Sequence, residues 1–148
     1  MSVAALARVQ QSLPDRLLEL LDRVDYRLAI TDEDRDEVFR LRYDAYFREG
    51  GVAPRFDRRL SDRYDDLDNT SVFGMYIDGQ IAGTIRASVV SAAVPECPAI
   101  EVFPDLIHPL LDAGKVLIDP TRFASDHDLA RAYPTLLPYL TIRLPWMA

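Results

Sequence analysis

Two apolar runs, residues 71–77 and 80–90, meet at Asp78-Gly79. Asp-Gly between apolar runs is the strongest local hairpin signal, because both residues accept the left-handed backbone of a two-residue turn. The centre of the chain is therefore an antiparallel strand pair. Before it, Leu13, Leu17, Leu20, Leu21 and Val24 recur at three- and four-residue spacing, which predicts a helix over residues 1–25 packing on the domain, with Pro14 in its first turn or at a kink. Residues 26–30 read as a short apolar strand. Thr31 then caps a helix whose first turn carries Asp32, Glu33 and Asp34. Val38, Leu41, Ala45 and Tyr46 supply its inner stripe, and Gly50-Gly51 ends it. Residues 51–70 form a loop rich in Arg and Asp, of a length that is functional or mobile in compact domains. After the hairpin, Pro95 and Pro98 break the chain, and Gly114 follows a helix predicted over 103–112. Residues 116–118 read as a buried strand stopped by Pro120. A last helix starts near Asp128, interrupted at Pro134, Pro138 and Pro145. This order is that of an α+β (mixed α/β) domain around a largely antiparallel sheet flanked by helices.

Composition narrows the function. With 148 residues the chain makes one domain, divided here into a helix over 1–25 and a main body over 26–148. A net charge of −7 weighs against a general nucleic-acid binder, which needs a basic face. The single cysteine, Cys97, excludes an internal disulfide and a multi-cysteine zinc site. His108 and His127 show neither metal nor triad spacing, and there is no phosphate loop or nucleophile elbow, so no metal or bound cofactor is expected. No apolar run is long enough to span a bilayer, and Arg8, Asp15 and Arg16 break up any signal peptide, so the expected setting is cytoplasmic. The apolar residues Leu136, Leu140, Leu144 and Trp146 reach the end of the sequence with no helix stop. The expectation is a sheet incomplete at its C-terminal side, with that surface exposed.

Four constellations could carry chemistry. Arg42 and Tyr46 share a helix face, and an Arg beside a loop can anchor a carboxylate or phosphate. Asp62 and Asp65 sit in an acidic run that lacks the Gly and Glu of a calcium loop. Arg86 lies three residues after Gly83 inside an apolar strand, where it needs a carboxylate partner. Asp119, Arg122 and Phe123 leave a strand end together, a place where sites are often built. Each has a plain alternative: a solvated helix face, a solvated loop, an edge arginine, a strand-end turn. The window 40–63 holds seven arginines and four acids. Arg55, Arg58, Arg59 and Arg63 there either dock a polyanionic partner or only balance nearby acids.

Taken in order, Arg42-x-x-x-Tyr46, Asp62-x-x-Asp65, Gly83-x-x-Arg86 and Asp119-x-x-Arg122-Phe123 resemble the N-acyl amino acid synthase family. That family is close to the acyl-homoserine lactone synthases of quorum sensing, and both have the GNAT-like acyltransferase fold. The resemblance spans roughly residues 26–148 and includes Phe103-Pro104-Asp105-Leu106. The lactone branch usually has Glu where Asp119 stands and a Trp in the loop after the first helix; this chain has neither. The resemblance implies an N-acyltransferase moving a long-chain acyl group from acyl carrier protein or CoA, as co-substrate, to the α-amine of a small amino acid. The alternatives are autoinducer synthesis and a non-catalytic acyl-carrier-binding remnant. Asp119 is the implied base or amine orienter, and Arg122 and Arg86 the implied carboxylate holders. Asp62 and Asp65 would brace the loop against Arg42 and Arg86, with Tyr46, Phe103 and Phe123 toward substrate. The resemblance further implies a domain truncated after its fourth strand, which puts the activity of this stretch in question. The acetyl-CoA pyrophosphate loop is missing, since 124–132 contains no Gly.

Overall fold

A computed structural model describes residues 12–143. The elements are α1 (Leu13–Leu21), β1 (Val24–Leu28), α2 (Asp32–Arg48), a 3-10 turn (Arg63–Asp66), β2 (Thr70–Ile77), β3 (Gln80–Val90), α3 (Pro98–Val102), α4 (Pro104–Asp112), β4 (Leu117–Ser125), α5 (His127–Ala132) and α6 (Leu136–Ile142). The four strands form one antiparallel sheet in the order β1-β2-β3-β4. The hairpin turns at Asp78 and Gly79, whose φ angles of 51° and 83° are those of the tight turn the sequence calls for.

The sheet has two unlike faces. Alternation puts Phe73, Met75, Ile77, Ile85 and Ala87 on one, where they pack with Leu20 of α1 and with Leu136, Leu137 and Leu140 of α6. Tyr26 also donates its hydroxyl to the Leu140 carbonyl at 3.0 Å. The other face meets α2 through Val72, Val38 and Phe39. At the far end Val90 packs with Cys97 and Leu111 of the α3–α4 side. Between these two apolar clusters β3 presents Thr84, Arg86 and Ser88, all buried. A polar strip in that position has to be satisfied by groups brought to it.

Several elements depart from the sequence reading. Residues 1–11 lie outside the described residues; the helix starts after Ser12, which caps it reciprocally with Asp15, and ends at Leu21. Val24, placed in the helical stripe, opens β1 opposite Ile77, so the strand runs 24–28 rather than 26–30. The α3 turn was not anticipated. β4 is neither buried nor stopped at Pro120: Ile118 is 44% exposed, and pairing continues to Ser125. An edge strand tolerates a residue without an N–H, and among the described residues nothing pairs with the outer side of β4. The last helix begins at His127 under an Asp126 cap and breaks at Pro134 into α5 and α6. Leu136 and Leu140, expected at an exposed surface, are 4% and 2% exposed because α6 lies on the sheet. Leu144 and Trp146 lie outside the described residues.

Candidate functional site

The arginine of the polar strip is satisfied by one short turn, while Ser88 shares a hydrogen bond with Thr70. In Asp62-Arg63-Tyr64-Asp65 the two aspartates cap each other's backbone: Asp62 accepts the Tyr64 N–H at 3.0 Å and Asp65 accepts the Asp62 N–H at 2.9 Å. This pins the turn and aims both carboxylates at the sheet. Arg42, about one turn further along α2 than Val38, reaches Asp65 from the helix side. Its Nη1 donates to Asp65 Oδ1 at 2.7 Å, with both side chains fully buried. Arg86, from β3, places Nη1 at 2.5 Å from Asp62 and 3.3 Å from Asp65, and its Nε donates to Thr121 Oγ1 at 2.9 Å. Arg122, from β4, holds the other Asp62 oxygen through Nε at 3.0 Å and also through Nη2.

Arg122 gets there through a bulge. The β3–β4 register passes from Arg86↔Thr121 to Thr84↔Ala124, leaving Arg122 and Phe123 facing Ile85 without a partner. Arg122 has a φ of 55°, a left-handed conformation that a non-glycine residue adopts at a cost of about 1–3 kcal/mol. Bulges beside sites re-aim a side chain in this way.

The electrostatics follow from counting. Three guanidiniums meet two carboxylates, so the cluster carries one surplus positive charge. Burial alone would push the Asp62 carboxyl up, but the hydrogen bonds from Arg122 and Arg86 outweigh it and hold Asp62 below the usual carboxylate range. Burial pulls the Arg42 guanidinium down, opposed by Asp65. Arg42 Nε and Nη2, with Thr84 Oγ1, are buried without a hydrogen-bond partner among the described residues. The outermost cation is Arg122, whose side chain is 28% exposed. It borders a cavity of about 300 Å³ with Tyr46, Asp62, Tyr64, Arg86, Pro98 and Thr121. Tyr46 and Tyr64 lie with ring centroids 5.8 Å from Arg122 and 5.4 Å from Arg86.

The structure thus gathers Arg42, Tyr46, Asp62, Asp65, Arg86 and Arg122, with Arg42 and Asp65 beneath the cleft rather than in its wall. It does not bring all the expected residues there. Asp119 turns toward α3, where its Oδ2 accepts the Ala99 N–H at 3.0 Å. Phe103 caps α4 and is 53% exposed, and Phe123 is 41% exposed on the bulge. The arginines assigned to docking are paired: Arg58 with Asp44 at 2.7 Å, Arg59 with Asp36 at 3.1 Å, Arg55 with Asp57 at 3.5 Å, and Arg63 with Glu101. Three of those four carboxylates, Asp44, Asp36 and Glu101, lie outside the loop on α2 and α3, and one, Asp57, lies within it. Tyr64 and Thr121 were missed. The available signals were Tyr64's place between the two aspartates and Thr121's position two residues from Asp119 on the same strand face. Among the described residues no group of three His, Cys, Asp or Glu could hold a metal, and no helix is long and apolar enough to cross a membrane.

Comparison with known proteins bears on this geometry. The family model described as N-acyl amino acid synthase FeeM matches residues 37–148, a span that contains the whole cluster. A solved structure, that of FeeM, an N-acyl amino acid synthase from uncultured soil microbes, is similar at 20% identity with a TM-score of 0.59, over 84% of this chain and 67% of that one. No curated protein matches the chain.

Proposed function

The chain belongs to the N-acyl amino acid synthase FeeM family and is an N-acyltransferase; we propose that it moves a long-chain acyl group from a thioester, on acyl carrier protein or CoA, to the α-amine of an amino acid. The observation that carries this reading is the surplus cation at the cleft. Arg122 borders the cavity while Asp62 is already shared between it and Arg86, so the cluster has room for one more anionic partner. A free amino acid offers a carboxylate of that charge and shape, and guanidinium binds it bidentately.

With the carboxylate on Arg122, the amine lies over the Thr121 side of the cleft. Asp62 does not take the amine proton, because two arginines hold it as a carboxylate of lowered basicity. The proposed base is Asp119, two residues before Thr121 on the same strand face, acting through water once its carboxylate leaves the Ala99 N–H. The amine attacks the thioester carbonyl; the C–N bond forms, the C–S bond breaks, and the thiol leaves with a proton. The oxyanion needs fixed donors, and the N–H groups of Arg122 and Phe123, which drop out of the β3–β4 register, are the proposed ones.

The test is incubation with acyl carrier protein or CoA thioesters and mixed amino acids, followed by mass spectrometry. A product with a free carboxylate is expected; a lactone would instead place the chain with the autoinducer synthases, and donor binding without turnover would make it a carrier-binding protein. Asp119→Asn is expected to lower turnover about 10²-fold or more while leaving donor binding intact. Unchanged turnover removes Asp119 as base.

A further inference from the structure

Asp119 and the helix that holds it stand directly behind the cleft wall. Pro98 and Thr121 both line the cleft; Ala99 follows the one, and Asp119 precedes the other by two residues on the same strand face. The bond from the Ala99 N–H to Asp119 Oδ2, at 3.0 Å, also caps α3. Cys97, at the N-cap position, makes no side-chain cap of its own, and Pro98 has no N–H to offer. The Cys97 thiol is buried; burial first, and Asp119 after it, push the thiol up, so it stays protonated and is no nucleophile toward a thioester. A second cavity, of about 370 Å³ and walled in part by Leu67, Cys97 and Ile100, adjoins the cleft across Tyr64, which lines both. Cavities therefore border the start of α3 at Pro98 and again at Cys97 and Ile100, so a small shift there meets space rather than atoms.

The bond matters because the cleft is open to water: Arg122, in its wall, is 28% exposed. A water that links Asp119 to a thioester carbonyl is itself a nucleophile, and the oxyanion donors of the bulge serve either attack equally. What differs is charge. An amino acid enters with an ammonium group, which competes for the Asp119 carboxylate far better than a neutral amide N–H does. Water carries no charge and leaves Asp119 where it is. A capping bond of this kind is worth about fivefold in population, enough to hold the base back and little enough for an ammonium to overcome.

We propose that the chain has a second, latent activity, hydrolysis of its own acyl donor, and that α3 suppresses it by keeping Asp119 on the Ala99 N–H until the acceptor's ammonium draws the carboxylate away. In the latent reaction a water oxygen bonds to the thioester carbonyl carbon and its proton passes to Asp119. The C–S bond then breaks, the thiolate takes that proton, and a free fatty acid and a thiol result. The inference rests on the reading of Asp119 as base, and the test keeps the two apart. The probe is a palmitoyl thioester of CoA or acyl carrier protein, with free thiol read colorimetrically and fatty acid by mass spectrometry, in the absence of any amino acid. The parent chain is expected to hydrolyse it slowly. Ala99→Pro removes the N–H in a first helical turn, where proline is tolerated, and should raise hydrolysis at least about threefold. Adding Asp119→Asn to that variant should abolish the gain. Unchanged hydrolysis in the folded Ala99→Pro variant, or a gain that survives Asp119→Asn, overturns the proposal. Should the proline variant melt early, N,N-dimethylglycine asks the same question of the parent chain. It brings a carboxylate and a protonated amine but yields no stable amide, so it should speed thiol release; no effect overturns the proposal. Parent hydrolysis as fast as acyl transfer does the same, because nothing would then be held back. All three outcomes leave the base assignment standing. If Asp119→Asn leaves acyl transfer itself unchanged, the base assignment falls and this inference with it.

Discussion

Arg86 is 1% exposed and contributes to both carboxylates of the cluster. Arg86→Ala leaves Asp65 buried with one cation fewer and Asp62 with only Arg122. Removing one partner of a buried pair costs about 3–5 kcal/mol, which for a chain of this size lowers the melting temperature by roughly 10 °C. A melting temperature equal to the parent's would mean that the cluster does not hold the turn to the sheet. Asp62 adds a pH dependence of defined sign. Its carboxyl is lower in the folded protein than the ordinary value of about 3.9, so the stability it contributes is fully present above that value. That stability is lost as pH falls from there through the lowered folded value. Asp62→Asn should therefore flatten the stability–pH curve below about pH 4 relative to the parent and lower the plateau at neutral pH. A parallel curve would refute the pairing. Exposed carboxylates such as Asp36 and Asp78 titrate in both proteins and cancel in the comparison.

At the scale of elements, the loop before the 3-10 turn is held to α2 by side chains rather than by a ladder. Arg58 and Arg59 bridge to Asp44 and Asp36, the Arg55 N–H donates to the Tyr43 hydroxyl at 3.1 Å, and the Leu60 N–H donates to the Phe39 carbonyl at 3.0 Å. Reversing Arg58 and Arg59 to Glu sets like charges against Asp44 and Asp36 of α2. Faster amide exchange across 52–60 is expected, with donor and acceptor binding weakened alike and little salt dependence. A loss confined to the donor and shrinking as salt rises would show that the two arginines dock it. What was legible here follows the range of the interaction. The hairpin and the Thr31–Asp34 cap were readable because their causes lie within four residues. Val24 was misassigned because its apolar side chain satisfies a helical stripe and a strand equally well. Pro120 was read as a stop because a proline's effect depends on whether its strand lies at an edge, which one strand's sequence does not tell. Most of the cluster was legible only as an ordered set of motifs. The bond between Asp62 and Arg122 spans sixty residues, and no local spacing encodes it. The same holds for Asp119, expected to leave a strand end but lying inside β4, with a side-chain direction that depends on α3.

At the scale of the molecule, the sheet is held from both sides by unlike chemistry. α6 lies so close to β3 that a Cβ on Gly83 would sit 2.7 Å from Thr141 Oγ1 and 3.3 Å from the Met75 methyl. Thr141 is fully buried and cannot swing away. Gly83→Ala is expected to lift α6 and cost about 1–3 kcal/mol by overpacking, read as a lower denaturation midpoint, with the Arg86 cluster on the opposite face intact. Wild-type stability would mean that α6 docks more loosely than drawn. The opposite face has a different vulnerability. Asp62 answers to two arginines on two strands, so neutralising it raises the cluster's surplus from one positive charge to two, and that change has to come together with the loss of an arginine. The adjoining wall of Leu67 and Ile100 is bound by packing alone and can be resized one substitution at a time. A lineage carrying this arrangement is free to reshape the cavity while the charges beside it stay frozen.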